Sequence, residues 1–140
     1  MSVSQISVFV ESRPGHLARV LDLFEDAGAN VRGFSASDTG DYGIVRFIVD
    51  DTDAALEALE GAGMAAIKSE VLCVRLADTP GEFARVVGSL AKCGLNIRYC
   101  YSLISTYIAV SVDDIEAAET LLESQPVELV SQDELAEPLS

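Results

Sequence analysis

The side chains best suited to chemistry are one histidine, His16, and three cysteines, Cys73, Cys93 and Cys100. Zinc needs a cluster of Cys and His ligands, whereas these cysteines form no Cys-x-x-Cys pair and lie far from the histidine in sequence. A Ser-His-Asp site would have to use His16, and the sequence has no Gly-x-Ser-x-Gly elbow and no glycine-rich phosphate loop. We therefore predict no catalytic residue, no metal site and no cofactor.

Charge and cysteine content exclude several classes of partner. The formal net charge of -14 repels nucleic acid and anionic membrane surfaces, so we expect neither as a partner. An odd number of unpaired cysteines favours reduced thiols in a cytoplasmic protein. Cys73 and Cys93 are expected to be small core residues and Cys100 a buried thiol. The N-terminus resembles no signal peptide, and no apolar run approaches the length of a membrane span.

Hydrophobic periodicity predicts alternating strands and helices. Apolar residues alternate in "QISVFVE" and "GIVRFIVD", which indicates strands, and Leu17, Val20, Leu21 and Phe24 have helical spacing. "DTGDY" (38–42) reads as a hairpin turn. The resulting order, β-α-β-β-α-β, is the ferredoxin-like arrangement of an antiparallel sheet with both helices on one face.

The sequence contains two copies of this unit. Residues 14–32, "PGHLARVLDLFEDAGANVR", align without a gap with residues 80–98, "PGEFARVVGSLAKCGLNIR", and eight of the 19 positions are identical. The offset of 66 falls to 63 after the second strand of the unit. We therefore predict an α+β protein of two tandem ferredoxin-like units, residues 1–69 and 70–132, followed by a loosely packed acidic tail, residues 133–140.

The repeated residues are a turn, a helix start and a helix exit rather than reactive groups. This pattern resembles the ACT domain, a small amino-acid-binding regulatory module, and the whole layout is similar to stand-alone tandem ACT-domain proteins. The residues that carry the resemblance are Pro14-Gly15-His16-Leu17 with Gly28-Ala29-Asn30, and Pro80-Gly81-Glu82-Phe83 with Gly94-Leu95-Asn96.

The resemblance implies a binding site for a free amino acid at the turn, at an interface between two domains. Backbone N–H groups at a helix N-terminus suit a carboxylate, and an Asn side chain offers both a donor and an acceptor. The residues to which the resemblance assigns ligand binding are Gly15, His16, Leu17, Asn30, Gly81, Glu82, Phe83 and Asn96, with Arg13 and Thr79 flanking the turns.

Structural explanations compete with this assignment. Pro-Gly is a common helix start and Gly-x-Asn a common helix exit. Leu17 and Phe83 open the apolar stripes of their helices, which favours a place in the core. Arg32 and Arg98 can offer charge to a carboxylate or lie on a surface strand. Aspartates at helix starts, such as Asp50, Asp51, Asp113 and Asp114, are interpreted as caps.

Three functions remain open. The first is a non-catalytic, allosteric amino-acid sensor, which the resemblance implies to be a homodimer. The second is a regulatory subunit of an amino-acid biosynthetic enzyme, acting through protein contacts. The third, which the sequence supports least, is a small enzyme that uses His16. The repeats differ at this position, since the counterpart of His16 is Glu82.

Overall fold

The computed structural model of the chain describes residues 1–38, 40 and 42–138, without the side chains of Asp38 and Tyr42. The predicted turn at 38–42 therefore falls largely outside the described residues. Within them, no helix is long and apolar enough to cross a membrane. The strands are β1 (Val3–Glu11), β2 (Val31–Asp38), β3 (Tyr42–Val49), β4 (Ala66–Arg75), β5 (Ile97–Ser102), β6 (Tyr107–Val112) and β7 (Glu128–Leu129). The helices are α1 (His16–Asp26), α2 (Thr52–Gly61), α3 (Glu82–Lys92), α4 (Ile115–Glu123) and α5 (Gln132–Ala136).

The first compact unit consists of Ser4–Ser69 together with the C-terminal residues from Leu135. In its antiparallel sheet β3 pairs with β1 on one side and with β2 on the other. The N–H of Phe9 donates to the carbonyl of Ala65 at 3.1 Å, so the chain entering β4 lies beside β1. The strand order β2-β3-β1-β4 and the element order confirm the predicted ferredoxin-like arrangement.

The core of this unit lies between the sheet and its two helices. Phe24 of α1 meets Phe47 of β3 edge to face, with ring centroids 4.9 Å apart. This geometry is favourable because the positive edge of one ring contacts the negative face of the other. The other buried members of the cluster alternate along the strands or recur at helical spacing, as the sequence pattern predicts: Ile6, Val8, Val10, Val20, Ala29, Val45, Val49, Ala55 and Leu59.

The second compact unit consists of Met1–Val3 and Glu70–Glu134. β6 pairs antiparallel with β4 and with β5, and the short β7 pairs with the other edge of β4. The order β7-β4-β6-β5 is that of the first unit, which confirms the duplication. Its core again joins one sheet face to two helices, through Leu72, Val74, Val86, Leu90, Ile108, Val110, Val112, Ala118 and Leu122.

The predicted aspartate caps separate into two kinds. Asp51 and Asp114 accept hydrogen bonds from the N–H groups of Ala54 and Ala117, so each caps the helix that follows it, as predicted. Asp50 and Asp113 instead accept from the backbone N–H groups of Asn30 and Asn96, which directly precede β2 and β5.

The expectation of a loosely packed tail is wrong for the residues described. Gln132–Ala136 form α5, and Leu135 is fully buried. Arg32, which is 5% exposed, donates to the carbonyl oxygens of Leu135 at 2.7 Å and Glu137 at 2.8 Å. A buried guanidinium needs acceptors, and carbonyls at the end of a helix supply them. Arg32 is therefore engaged by the tail, whereas its counterpart Arg98 is exposed.

Two of the three cysteine assignments are also wrong. Cys73 is buried on β4, as expected, and its burial raises the pKa of the thiol to about 12. Cys93 and Cys100 are exposed. Cys93 is the C-cap of α3 and Cys100 lies on β5, which pairs with β6 on one side.

Candidate functional site

Each repeat begins its first helix after a glycine in the left-handed conformation. Gly15 has φ +87° and Gly81 has φ +89°, values that an L side chain rarely adopts. Each glycine carbonyl accepts the first helical hydrogen bond, from Arg19 and from Arg85 respectively. Neither helix has a side-chain cap, in contrast to α2 and α4. The repeated Pro-Gly turn thus leaves both helix starts open.

A cleft of about 380 Å³ opens at this turn in the second unit. It brings together four of the predicted site residues: Thr79, Gly81, Glu82 and Phe83. The end of β4, the start of α3 and the β5–β6 connection form its walls, because antiparallel pairing sets Arg75 opposite Tyr107. The volume lies within the range of about 300–1,000 Å³ typical of small-molecule sites.

The first unit has a smaller cleft, of about 200 Å³, at the equivalent place. It includes Leu17 but none of the other predicted site residues. Six of its lining positions correspond, by the offsets of the repeat, to positions that line the larger cleft. These pairs are Val10 and Leu76, Ser12 and Asp78, Leu17 and Phe83, Ala36 and Ser102, Gly43 and Thr106, and Val45 and Ile108. The concavity is thus a property of the repeat, and its volume and charge differ between the two copies.

Leu17 and Phe83 are not core residues, contrary to the interpretation from periodicity. They are 39% and 44% exposed, and each lines the cleft of its own unit. The next positions of each stripe, Val20 and Val86, are buried. The first residue of each stripe therefore presents apolar surface to the cleft.

Hydrogen-bond donors are available in the larger cleft. In the described part of the chain, the N–H groups of Phe83 and Ala84 have no acceptor, as expected for the first turn of an uncapped helix. The Tyr107 hydroxyl accepts a hydrogen bond from Nη2 of Arg75, which leaves its own proton for another acceptor. These groups suit a carboxylate.

Glu82 is paired within its own helix. Nε and Nη2 of Arg85 lie 3.2 and 2.9 Å from its two carboxylate oxygens. These hydrogen bonds, aided by the charge of Arg85, lower the pKa of Glu82 and keep it ionised. Arg85 also donates to the carbonyl of Pro126.

The corresponding position in the first repeat makes a different contact. Nδ1 of His16 accepts a hydrogen bond from the N–H of Glu11 at 2.6 Å, so the ring folds back on the end of β1. Arg13 pairs with the carboxylate of Glu11 on the exposed surface. Neither His16 nor Arg13 lines the first cleft. Among the described residues, no group of three or more His, Cys, Asp or Glu side chains is arranged to hold a metal ion.

Asn30 and Asn96 lie at the opposite end of their helices from the turns. Asn30 N–H donates to Asp50 at 2.7 Å, and Asn96 N–H donates to Asp113 at 3.2 Å. Each helix has 11 residues, about 16 Å of rise, so one amino acid cannot span from Gly15 to Asn30 in the same repeat. The structure therefore does not bring the predicted asparagines together with the predicted turn residues within a unit.

Two other depressions occur at these opposite ends. One of about 360 Å³ includes Asn30, and one of about 510 Å³ lies beside Cys93 and Asp114. The second is larger than the cleft at Gly81, but among its lining residues are Asp114, whose carboxylate already caps α4, and Glu116. Volume alone therefore does not single out a site, and the cleft at Gly81 is favoured by its free donors.

Sequence reasoning missed Asp78 and Tyr107, which both line this cleft. Asp78 immediately precedes Thr79, so a carboxylate beside the predicted turn could have been recognised from the sequence. Tyr107 is distant in sequence and reaches the cleft through strand pairing, so only the ferredoxin-like topology could have identified it.

The chain is 26% identical to protein BT0572 from Bacteroides thetaiotaomicron, with a TM-score of 0.93 over 99% of this chain and 98% of that one. It is 27% identical to the regulatory subunit of aspartate kinase from Thermus thermophilus, solved in a ligand-free form, with a TM-score of 0.65 over 86% and 88% of the two chains. The equivalent subunit from Thermus flavus gives 25% identity and a TM-score of 0.59 over 86% and 90%.

No curated protein sequence matches the chain significantly. A family profile described as an ACT domain pair matches residues 1–138. This match covers both repeats, the two uncapped helix starts and the tail held by Arg32. The chain therefore belongs to the ACT domain pair family.

Proposed function

We propose that the protein is a non-catalytic regulator that binds a free amino acid in the cleft of the second unit. The observation that carries this proposal is the uncapped start of α3, where the N–H groups of Phe83 and Ala84 face no protein acceptor in a cleft of about 380 Å³. A ligand carboxylate would accept from these groups and from Tyr107, favoured by the helix dipole. The apolar surface of Phe83 would contact the ligand side chain.

The asparagines cannot contact a ligand that is bound at the turn of their own repeat. Because Asn30 and Asn96 lie at the far ends of their helices, they can join a ligand only when the turn of one repeat meets the helix exit of another. We assign them to an interface between two copies of the chain, and we propose a homodimer in the cytoplasm. In the described part of the chain their side-chain amides make no hydrogen bond, which leaves both groups available.

Similarity to aspartate kinase subunits favours a second candidate. The regulatory subunit from Thermus thermophilus is 27% identical over most of both chains. By this likeness the protein would be a regulatory subunit of an amino-acid biosynthetic enzyme and would transmit ligand binding to that partner. Affinity purification of the tagged protein from its own cells would recover such an enzyme in stoichiometric amount, whereas recovery of the protein with only its own copies would favour the autonomous sensor.

Calorimetric titration with each of the twenty protein amino acids tests the proposal. We expect one or a few to bind wild-type protein and Phe83→Ala to weaken that binding while leaving the thermal midpoint nearly unchanged, because Phe83 is half-exposed. Leu17→Ala is the matched control at the equivalent helix position of the smaller cleft. Failure of every amino acid to bind, or equal loss of affinity in both variants, would contradict the assignment to the second unit.

Changes at Gly81 would test the site less sharply. A side chain at φ +89° would strain the turn by roughly 1 kcal/mol, whether or not a ligand is bound. A Cβ at Gly81 would meet no atom within 4 Å, so the loss would come from backbone conformation rather than from crowding.

A further inference from the structure

The charges around the larger cleft are unequally distributed. Two carboxylates, Asp78 and Glu82, are among its lining residues, and no Lys, Arg or His is found among those that the structure describes there. Among the residues whose side chains the structure describes, none that lines the smaller cleft is charged, and the position of Asp78 is taken there by Ser12. The two copies of the repeat thus present different electrostatic environments to a ligand.

Only one of the two carboxylates is available. Glu82 is held by two hydrogen bonds from Arg85, which compensate its charge. Asp78 is exposed and makes no hydrogen bond or ion pair with any described residue. The larger cleft therefore contains one free negative group together with the free donors of Phe83, Ala84 and Tyr107.

The remaining surface of the cleft is mainly apolar. Leu76, directly after β4, and Ile108 of β6 line it, and Phe83 contributes exposed ring surface. Among the described lining residues, a basic ligand side chain would find no free carboxylate other than Asp78. An acidic ligand side chain would find no cationic group there and would be repelled by Asp78. An uncharged, apolar side chain gains from burial against these residues.

We propose that Asp78 receives the α-ammonium group of the ligand, and that the second unit selects amino acids with uncharged, apolar side chains and rejects acidic ones. This inference rests on the proposed function and adds its ligand class and a specificity-determining residue. The zwitterion lies with its carboxylate at the start of α3 and its ammonium group at Asp78. Ser12 gives the first unit no charged partner for an ammonium group, so the copies differ in ligand affinity.

The test compares four proteins by calorimetry: wild type, Asp78→Asn, Asp78→Ser and Asp22→Asn. The last removes one negative charge from an exposed position of α1 outside both clefts. The probes are the twenty protein amino acids and, for the tightest of them, its N-acetyl derivative, which lacks the ammonium charge. Both Asp78 variants should lose about tenfold or more in affinity, as expected for a charge-assisted hydrogen bond. Asp22→Asn should retain wild-type affinity.

The N-acetyl derivative separates a direct contact from a general charge effect. It should bind wild type as weakly as it binds Asp78→Asn, because the group that Asp78 receives is then absent. Affinity of Asp78→Asn within about twofold of wild type, or a tightest ligand with a charged side chain, would overturn the inference while leaving amino-acid binding intact. If no amino acid binds wild type, the proposed function itself fails.

Discussion

Arg85 holds Glu82 on the first turn of α3, with Nη2 2.9 Å from Oε2. This pair makes the second repeat differ from the first, where His16 occupies the position of Glu82 and accepts a hydrogen bond from Glu11 instead. The two copies of the turn therefore share a backbone conformation and differ in their polar contacts.

The Glu82–Arg85 pair should stabilise the fold in a pH-dependent manner. The hydrogen bonds from Arg85 lower the pKa of Glu82 in the folded state below its usual range, so unfolding raises this pKa. The stabilisation is present at pH 7 and is lost as the pH falls through the lowered pKa. Thermal melts should show Glu82→Gln less stable than wild type at pH 7, with the difference vanishing in acid.

The control for this effect is Glu116→Gln, which removes a carboxylate from the first turn of α4, where it pairs with no arginine that the structure describes. The contribution of the pair is modest, since both side chains are partly exposed and solvent weakens their attraction. A difference for Glu82→Gln that persists unchanged at low pH would show that packing, rather than the charge of Glu82, is responsible.

The tail should contribute to stability through Arg32. Its two hydrogen bonds to backbone carbonyls connect β2 to residues about 100 positions later in the chain. We expect Arg32→Ala to lower the free energy of unfolding by about 2–3 kcal/mol, because charged hydrogen bonds in a buried site are lost. Urea denaturation measures this directly.

Arg98→Ala provides the matched comparison, since Arg98 occupies the same position of the second repeat and is exposed. Its effect should stay within about 0.5 kcal/mol, as for ordinary surface substitutions. Equal destabilisation by the two changes would mean that the arginine acts through strand β2 or β5 rather than through the tail.

The cysteines should react in two classes. Cys93 and Cys100 are exposed, whereas Cys73 is buried with its thiol pKa raised to about 12. Since the thiolate is the nucleophile, a disulfide reagent at pH 8 should modify the first two in folded protein and Cys73 only on unfolding in urea. Cys73→Ser should leave the rapid phase unchanged, and rapid modification of all three thiols would contradict the burial of Cys73.

Much of the fold was predictable because the local signals agree with one another. Alternating apolar residues, the left-handed glycines and the gapless repeat all indicate the same βαββαβ unit. The Pro-Gly turn also identified the residues at the start of α3. These signals are local, and each helix and strand can be assigned from its own residues.

The errors arise where a residue's environment is set by distant segments. Periodicity places Leu17 and Phe83 on the apolar face of their helices, but it cannot give the width of the stripe that the sheet covers. The contact between Arg32 and the tail joins residues 103 positions apart. Cys100 lies on a predicted strand with no histidine nearby in sequence, which favours a buried thiol, whereas in the structure it is exposed on β5.

The central claim, that the second unit binds a free amino acid beside the start of α3, is tested most directly by amide chemical shifts. Isotope-labelled protein would be titrated with the amino acid that binds tightest in calorimetry. We expect shifts concentrated at Gly81–Ala84 and Ser102–Tyr107, with smaller changes at the equivalent turn of the first repeat. Spectra unchanged by that amino acid, or shifts that leave both of these segments unaffected, would contradict amino-acid binding at this site.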